Sequence, residues 1–121
     1  MTYIKTHKDL IVWQKSLTLV LETYKVTEQF SRIEQYGLVS QMRRAAVSIP
    51  SNIAEGRRRG GKKEFKHFLQ IAFGSGAELE TQIEIAKSLP QLENLNYTAA
   101  DQLLDEVMRM LNVMIHNLSK T

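Results

Sequence analysis

Residues 65–86 read FKHFLQIAFGSGAELETQIEIA, and the spacing within this stretch decides the fold. Phe65, Leu69, Ala72, Gly76, Leu79, Ile83 and Ala86 recur at alternating intervals of four and three, the repeat of a helix that turns one seam toward its partners. The centre, Phe73-Gly74-Ser75-Gly76-Ala77, is unusually small. An interior glycine costs roughly 1 kcal/mol of helix stability relative to alanine, so the pattern predicts either another helix packed closely there or a local bend. With Pro90 as the stop, the helix is expected over about 62–89.

The same repeat extends in both directions. Downstream, Ala100, Leu104, Val107, Leu111, Met114 and Leu118 predict a helix over 98–118, broadened on its flanks by Leu103, Met108, Met110, Val113 and Ile115. Upstream, Leu38, Met42, Ala45, Ile49 and Ile53 predict a helix over 33–55. Ser31 and Glu34 have the spacing of a capping box at its start, and Gly56 is a natural stop. Pro50 falls inside this pattern, where the missing N–H predicts a kink or break. A first helix is expected over 10–30, capped by Asp9, with the stripe Leu10, Trp13, Leu17, Val20, Tyr24 and Thr27. Ile11, Val12, Leu19, Leu21 and Val26 lie off that stripe. Four such helices with short connections predict an all-α fold: a single antiparallel up-and-down four-helix bundle spanning 1–121. The apolar arcs of the first and last helices are wider than one seam needs, so the bundle is expected to assemble into a homo-oligomer.

The composition restricts the chemistry. With 121 residues and no cysteine, the chain suits one domain without disulfides, thiolate nucleophiles or cysteine-ligated zinc. Met1 to Lys8 is polar and basic, unlike a signal peptide, and no apolar run approaches the ~20 residues of a membrane span. A cytoplasmic location without membrane contact is expected. The net charge is only +3, but residues 43–66 hold eight basic and two acidic side chains, a net +6, leaving −3 for the remainder.

Catalysis has little to stand on. Glu64 and His67 form one Glu-x-x-His pair, whereas a carboxylate-bridged di-metal bundle needs two pairs and two further glutamates. His7 and His116 follow Ile4 and Val113 at that spacing, so no metal or other cofactor is expected. The serines have no nucleophile elbow, and GRRRGGKKEF lacks P-loop spacing. Glu55, near Asn52, is better read as an interhelical hydrogen-bonding group than as a catalyst. The chemical signal is the basic cluster. Arg57, Arg58 and Arg59 are expected in an exposed loop over 56–61, Lys62, Lys63 and Lys66 at the start of the next helix, and Arg43 and Arg44 some four turns earlier. Cations at a helix start oppose its macrodipole, and a bound phosphate would relieve that conflict. These eight residues are the candidate contacts to RNA or DNA phosphates. The alternative is a solvated turn on a scaffold that binds protein partners.

The stretch from Glu34 to Glu80 carries a family resemblance. It reads E-Q-Y-G-L-V-S-Q-M-R-R-A-A-V-S-I-P-S-N-I-A-E-G, then R-R-R, then E-F-K-H-F-L-Q-I-A-F-G-S-G-A-E-L-E, with Asp9-Leu10 and Val12-Trp13-Gln14-Lys15 upstream. It resembles the bundle proteins encoded in intervening sequences of bacterial 23S ribosomal RNA genes, and the related accessory variability determinant proteins of diversity-generating retroelements. The resemblance implies a cytoplasmic, non-catalytic protein that forms a ring-shaped homopentamer with a basic, nucleic-acid-binding surface. The matching positions are Gln41, Arg43, Arg44, Ser48, Asn52, Glu55 and Gly56, then Gly74, Ser75, Glu78 and Glu80, most of them expected to be structural. Two positions depart from the pattern: Ser31 replaces a proline after Phe30, and Gly76 replaces a larger apolar residue.

Overall fold

The computed structural model describes residues 5–32 and 35–120, without the side chains of Gln35 and Tyr36. Four α-helices, α1 (Ile11–Thr27), α2 (Ser40–Arg59), α3 (Lys62–Ser88) and α4 (Thr98–Leu118), form the fold, with no strand among the described residues. A 3-10 turn, His7–Asp9, precedes α1, and a π-helical turn, Gln35–Val39, runs into α2. Each helix packs on the next, and α1 closes the square against α4.

Side-chain pairs fix the antiparallel order. Arg43 near the start of α2 donates from Nε to Thr27 Oγ1 at the end of α1 (2.9 Å). Ser48 and Ser75 hydrogen-bond across α2 and α3 at 2.8 Å. Lys87 near the end of α3 meets Asp101 at the start of α4 at 2.6 Å, and Lys15 of α1 meets Glu106 of α4 at 2.8 Å. The chain therefore runs up, down, up, down.

The seams expected for α2, α3 and α4 are the ones buried. Met42, Ala45, Ile49, Ile53, Leu69, Ala72, Leu79, Ile83, Ala86, Leu104, Val107 and Leu111 form the core. Gly76 lies against α4: a Cβ there would collide with the Met108 sulfur. Close packing thus explains Gly76, whereas Gly74 faces open space.

On α1 the expected stripe meets the core only in part: Thr27 is buried, and Leu10, Trp13 and Val20 pack at its edge. The buried residues are Val12, Ser16, Leu19, Thr23, Val26 and Thr27, while Leu17 and Tyr24 are exposed. Small hydroxyl residues complete the true seam because each satisfies itself locally. Ser16 donates to the Trp13 carbonyl, Thr23 to that of Leu19, and Thr27 to that of Thr23. Reading only apolar side chains shifted the helix by part of a turn. Asp9 does not cap α1, which starts after Leu10; it caps the preceding turn, with Oδ2 accepting from the Lys5 and Thr6 amides.

The bounds of α2 also differ. The expected capping box falls partly on Glu34, outside the described residues, and regular α-helix starts at Ser40 rather than 33. The helix continues through Pro50 without a break and ends at Arg59, not at Gly56. Gly56 is buried against α3, where a Cβ would press on Phe65 and Phe68, so its glycine serves helix packing rather than termination. The stop is Gly60, in the left-handed region at φ 87°, which a side chain would disfavour.

Candidate nucleic-acid interface

The antiparallel order gathers the end of α2, the start of α3 and the turn before α1 at one end of the bundle. Arg57, Arg58 and Arg59 are therefore not in a loop: they occupy the last turn of α2, and the connection to α3 is only Gly60 and Gly61. Lys62, Lys63 and Lys66 follow in the first two turns of α3. Six of the eight candidate residues thus share one end, held by two rigid helices.

Their surroundings differ. Arg59 pairs locally because helix continuation places Glu55 one turn away: Nε to Oε2 is 3.0 Å. Its guanidinium also lies 5.2 Å from the centroid of the Phe68 ring. Arg57 and Arg58 instead line a cleft of about 300 Å³ with Lys5, Thr6 and His7. Lys62 and Lys63 are exposed, and Lys66 is half-buried. Gly61 N-caps α3 without a side-chain hydrogen bond, so the first-turn amides of α3 accompany these cations.

Arg43 and Arg44 do not join the cluster. At 1.5 Å per residue they lie about 20 Å back along α2. Arg43 is committed to α1: besides Thr27 it reaches the Tyr24 carbonyl and covers the Tyr24 ring at 4.3 Å. Arg44 lines a different groove, about 360 Å³ between α2 and α3, with Gln41, Ser48, Ser75, Glu78 and Gln82. Beside it Asn52 donates to Ser48 within its own helix, and the interhelical bond is Ser48–Ser75, not one made by Glu55. Glu64 and His67 are exposed, with His67 edge-on to Phe68 at 5.3 Å.

The structure adds residues that the sequence reading left aside. Lys5, His7 and Lys8 belong to the basic end because the turn before α1 packs on α2. The signal was available: an antiparallel bundle must bring that basic segment beside the end of its second helix. His7 is only 8% exposed, and its Nδ1 is buried without a hydrogen-bond partner among the described residues. Burial first, then the charges of Arg58 and Lys8, hold its pKa below the usual histidine value.

No helix among the described residues is long and apolar enough to cross a membrane. No curated protein matches the chain. A family model does: that of the 23S rRNA-intervening sequence protein, over residues 8–113. Helices α1 to α3, α4 as far as Val113, and the basic residues from Lys8 to Lys66 fall within that match, and the chain belongs to the 23S rRNA-intervening sequence protein family.

Proposed function

We propose that this protein is a non-catalytic, oligomeric nucleic-acid-binding protein whose basic end, formed by α2 and α3, contacts RNA or DNA phosphates. The observation that carries the reading is the grouping of Arg57, Arg58, Arg59, Lys62, Lys63 and Lys66 across one two-residue turn, with Glu55 as the single carboxylate paired to any of them among the described residues. Cations fixed on helices need little ordering when a phosphate backbone arrives, and counterion release supplies affinity without regard to sequence. Arg43 and Arg44 take a lesser part, since Arg43 already serves the α1–α2 contact.

Self-association is the second half of the proposal. Leu17, Leu21 and Tyr24 form an outward apolar stripe on α1, with Leu21 68% exposed. A lone bundle leaves that stripe in water, and a second copy would cover it. The ring of five follows from the family resemblance. The wide arc of α4 contributes less, because Leu103, Met108, Met110, Met114 and Ile115 pack partly against the core and Val113 alone is well exposed.

The test is binding of a structured RNA and a duplex DNA over a salt series. Affinity should fall log-linearly with salt, and each phosphate contact removed from duplex DNA should lower the slope by about 0.9. Absence of binding at low salt, or reversal of all six charges with affinity unchanged, overturns the reading. Protein partners captured after nuclease treatment, with no nucleic acid bound, would turn it into the scaffold alternative.

A further inference from the structure

We propose that the cleft between the N-terminal turn and the end of α2 is a phosphate-monoester site. It is built from Lys5, Thr6, His7, Arg57 and Arg58, and takes either the terminal phosphate of a nucleic-acid strand or the phosphate of a free nucleotide. The first source rests on the nucleic-acid reading above; the second does not.

The lining is a set of donors. Lys5, Arg57 and Arg58 bring three positive charges, and among the described residues no carboxylate lines the cleft. The one carboxylate of the turn, Asp9, is occupied by the Lys5 and Thr6 amides, at 2.8 and 3.2 Å. Those bonds shape the turn and hold the carboxylate on backbone amides rather than on the Lys5, Arg57 or Arg58 side chains. Thr6 Oγ1 accepts from the Lys8 amide at 3.2 Å, which leaves its hydroxyl hydrogen for an incoming oxygen. Guanidinium forks match phosphate oxygens in geometry, and a doubly charged group matches the surplus better than a single charge. A volume of about 300 Å³ admits a phosphate with part of its sugar.

His7 is what separates this cleft from a chance meeting of surface cations. It is more than nine-tenths buried, lines the cleft, and has an Nδ1 with no partner among the described residues. An anion in the cleft would sit beside the buried ring and act on it through charge. Two elements pack on the turn. From α2, Arg57 and Arg58 face His7; from α1, Trp13 presents no charge and lies edge-on at 5.1 Å. Its own turn adds Lys5, Lys8 and Asp9. Burial first, and then this positive field, suppress the imidazolium, and a bound dianion offsets most of that field. Binding should therefore draw a proton onto His7, and affinity should rise as pH falls.

The test follows the His7 ring by NMR through a pH titration of the full chain at constant ionic strength, with inorganic sulfate, inorganic phosphate or chloride. Sulfate keeps its charge throughout, whereas phosphate has its own pKa of about 6, so sulfate isolates the histidine. Sulfate and phosphate should each raise the His7 pKa relative to chloride. A rise of one unit corresponds to about tenfold tighter sulfate binding at low pH than at high pH. Arg58→Gln should abolish the rise; Arg58 is exposed, so this variant does not depend on repacking. His7→Gln should remove the pH dependence of sulfate binding. An unmoved His7 titration, or Arg58→Gln binding sulfate as the parent does, overturns the site.

The sources separate with oligonucleotides that differ only in a terminal phosphate or hydroxyl. Tighter binding of the phosphorylated strand identifies a nucleic-acid end. Equal binding of the two strands, with a nucleoside monophosphate shifting His7, identifies a free nucleotide. Oligonucleotide binding with His7 unmoved by any phosphate would refute the cleft while the basic end stands. Anions shifting His7 with no oligonucleotide bound would refute the nucleic-acid function while the cleft stands.

Discussion

Gly56 and Gly74 sit inside helices, and their neighbours give them opposite expectations. A Cβ at position 56 would stand 2.7 Å from Phe68 Cβ, an atom fixed close to the α3 backbone. Gly56→Ala should therefore destabilise the fold by about 1–3 kcal/mol, the usual cost of overpacking, despite the better helix propensity of alanine. Gly74 has nothing within 4 Å, so Gly74→Ala should stabilise by about 0.5–1 kcal/mol. Urea denaturation of the pair checks both signs. His7 gives a residue-scale pH dependence. Its folded pKa lies below its unfolded value, so the unfolded chain takes up the proton first on acidification. The stability it contributes is full above the unfolded value of about 6.5 and is lost as pH falls through the folded pKa. His7→Gln should flatten the dependence of the denaturation midpoint in that window, without anion present.

At the scale of elements, legibility followed side-chain chemistry. The α3 and α4 seams were readable because apolar residues fill them at nearly every position, and the bounds at Pro90 and Leu118 lie within a residue or two of those found. On α1 the seam is completed by Ser16, Thr23 and Thr27, whose hydroxyls vanish into their own helix; a reader of hydrophobicity counts Ser16 and Thr23 as surface. The end of α2 was misplaced for a related reason. A glycine followed by three arginines suggests a loop, yet Gly56 is small because Phe65 and Phe68 crowd it, and the arginines are helical. The turn itself rests on Gly60. Gly60→Ala would put a side chain at φ 87° and should cost about 1–2 kcal/mol, read from the thermal midpoint.

At the scale of the molecule, the charge asymmetry could be read from composition, but its completion could not. Lys5 and His7 stand some fifty residues from Arg57 in the chain, and only the helix order unites them. The same order separated Arg43 and Arg44, which share the charge but not the place. The outward stripe of α1 carries a prediction for assembly. Leu21→Arg should dissociate an oligomer while leaving the core intact, because Leu21 is 68% exposed. Light scattering reads the first effect and circular dichroism the second; a parent chain that is already monomeric at micromolar concentration would remove the need for a partner on that face.

The helical setting of Arg57, Arg58 and Arg59 divides three identical letters between two addresses. Two line the cleft beside His7, and the third spans from Glu55 toward Phe68. Inserting one alanine after Gly56 would preserve every charge and every arginine. Alanine would then occupy the place of Arg57, and an arginine would fall on the left-handed position that Gly60 now holds. Such a chain would have the same isoelectric point and the same local charge density. Its basic end should nonetheless lose one of the two cleft arginines and strain the turn, because what the run encodes is an angular frame rather than an amount of charge.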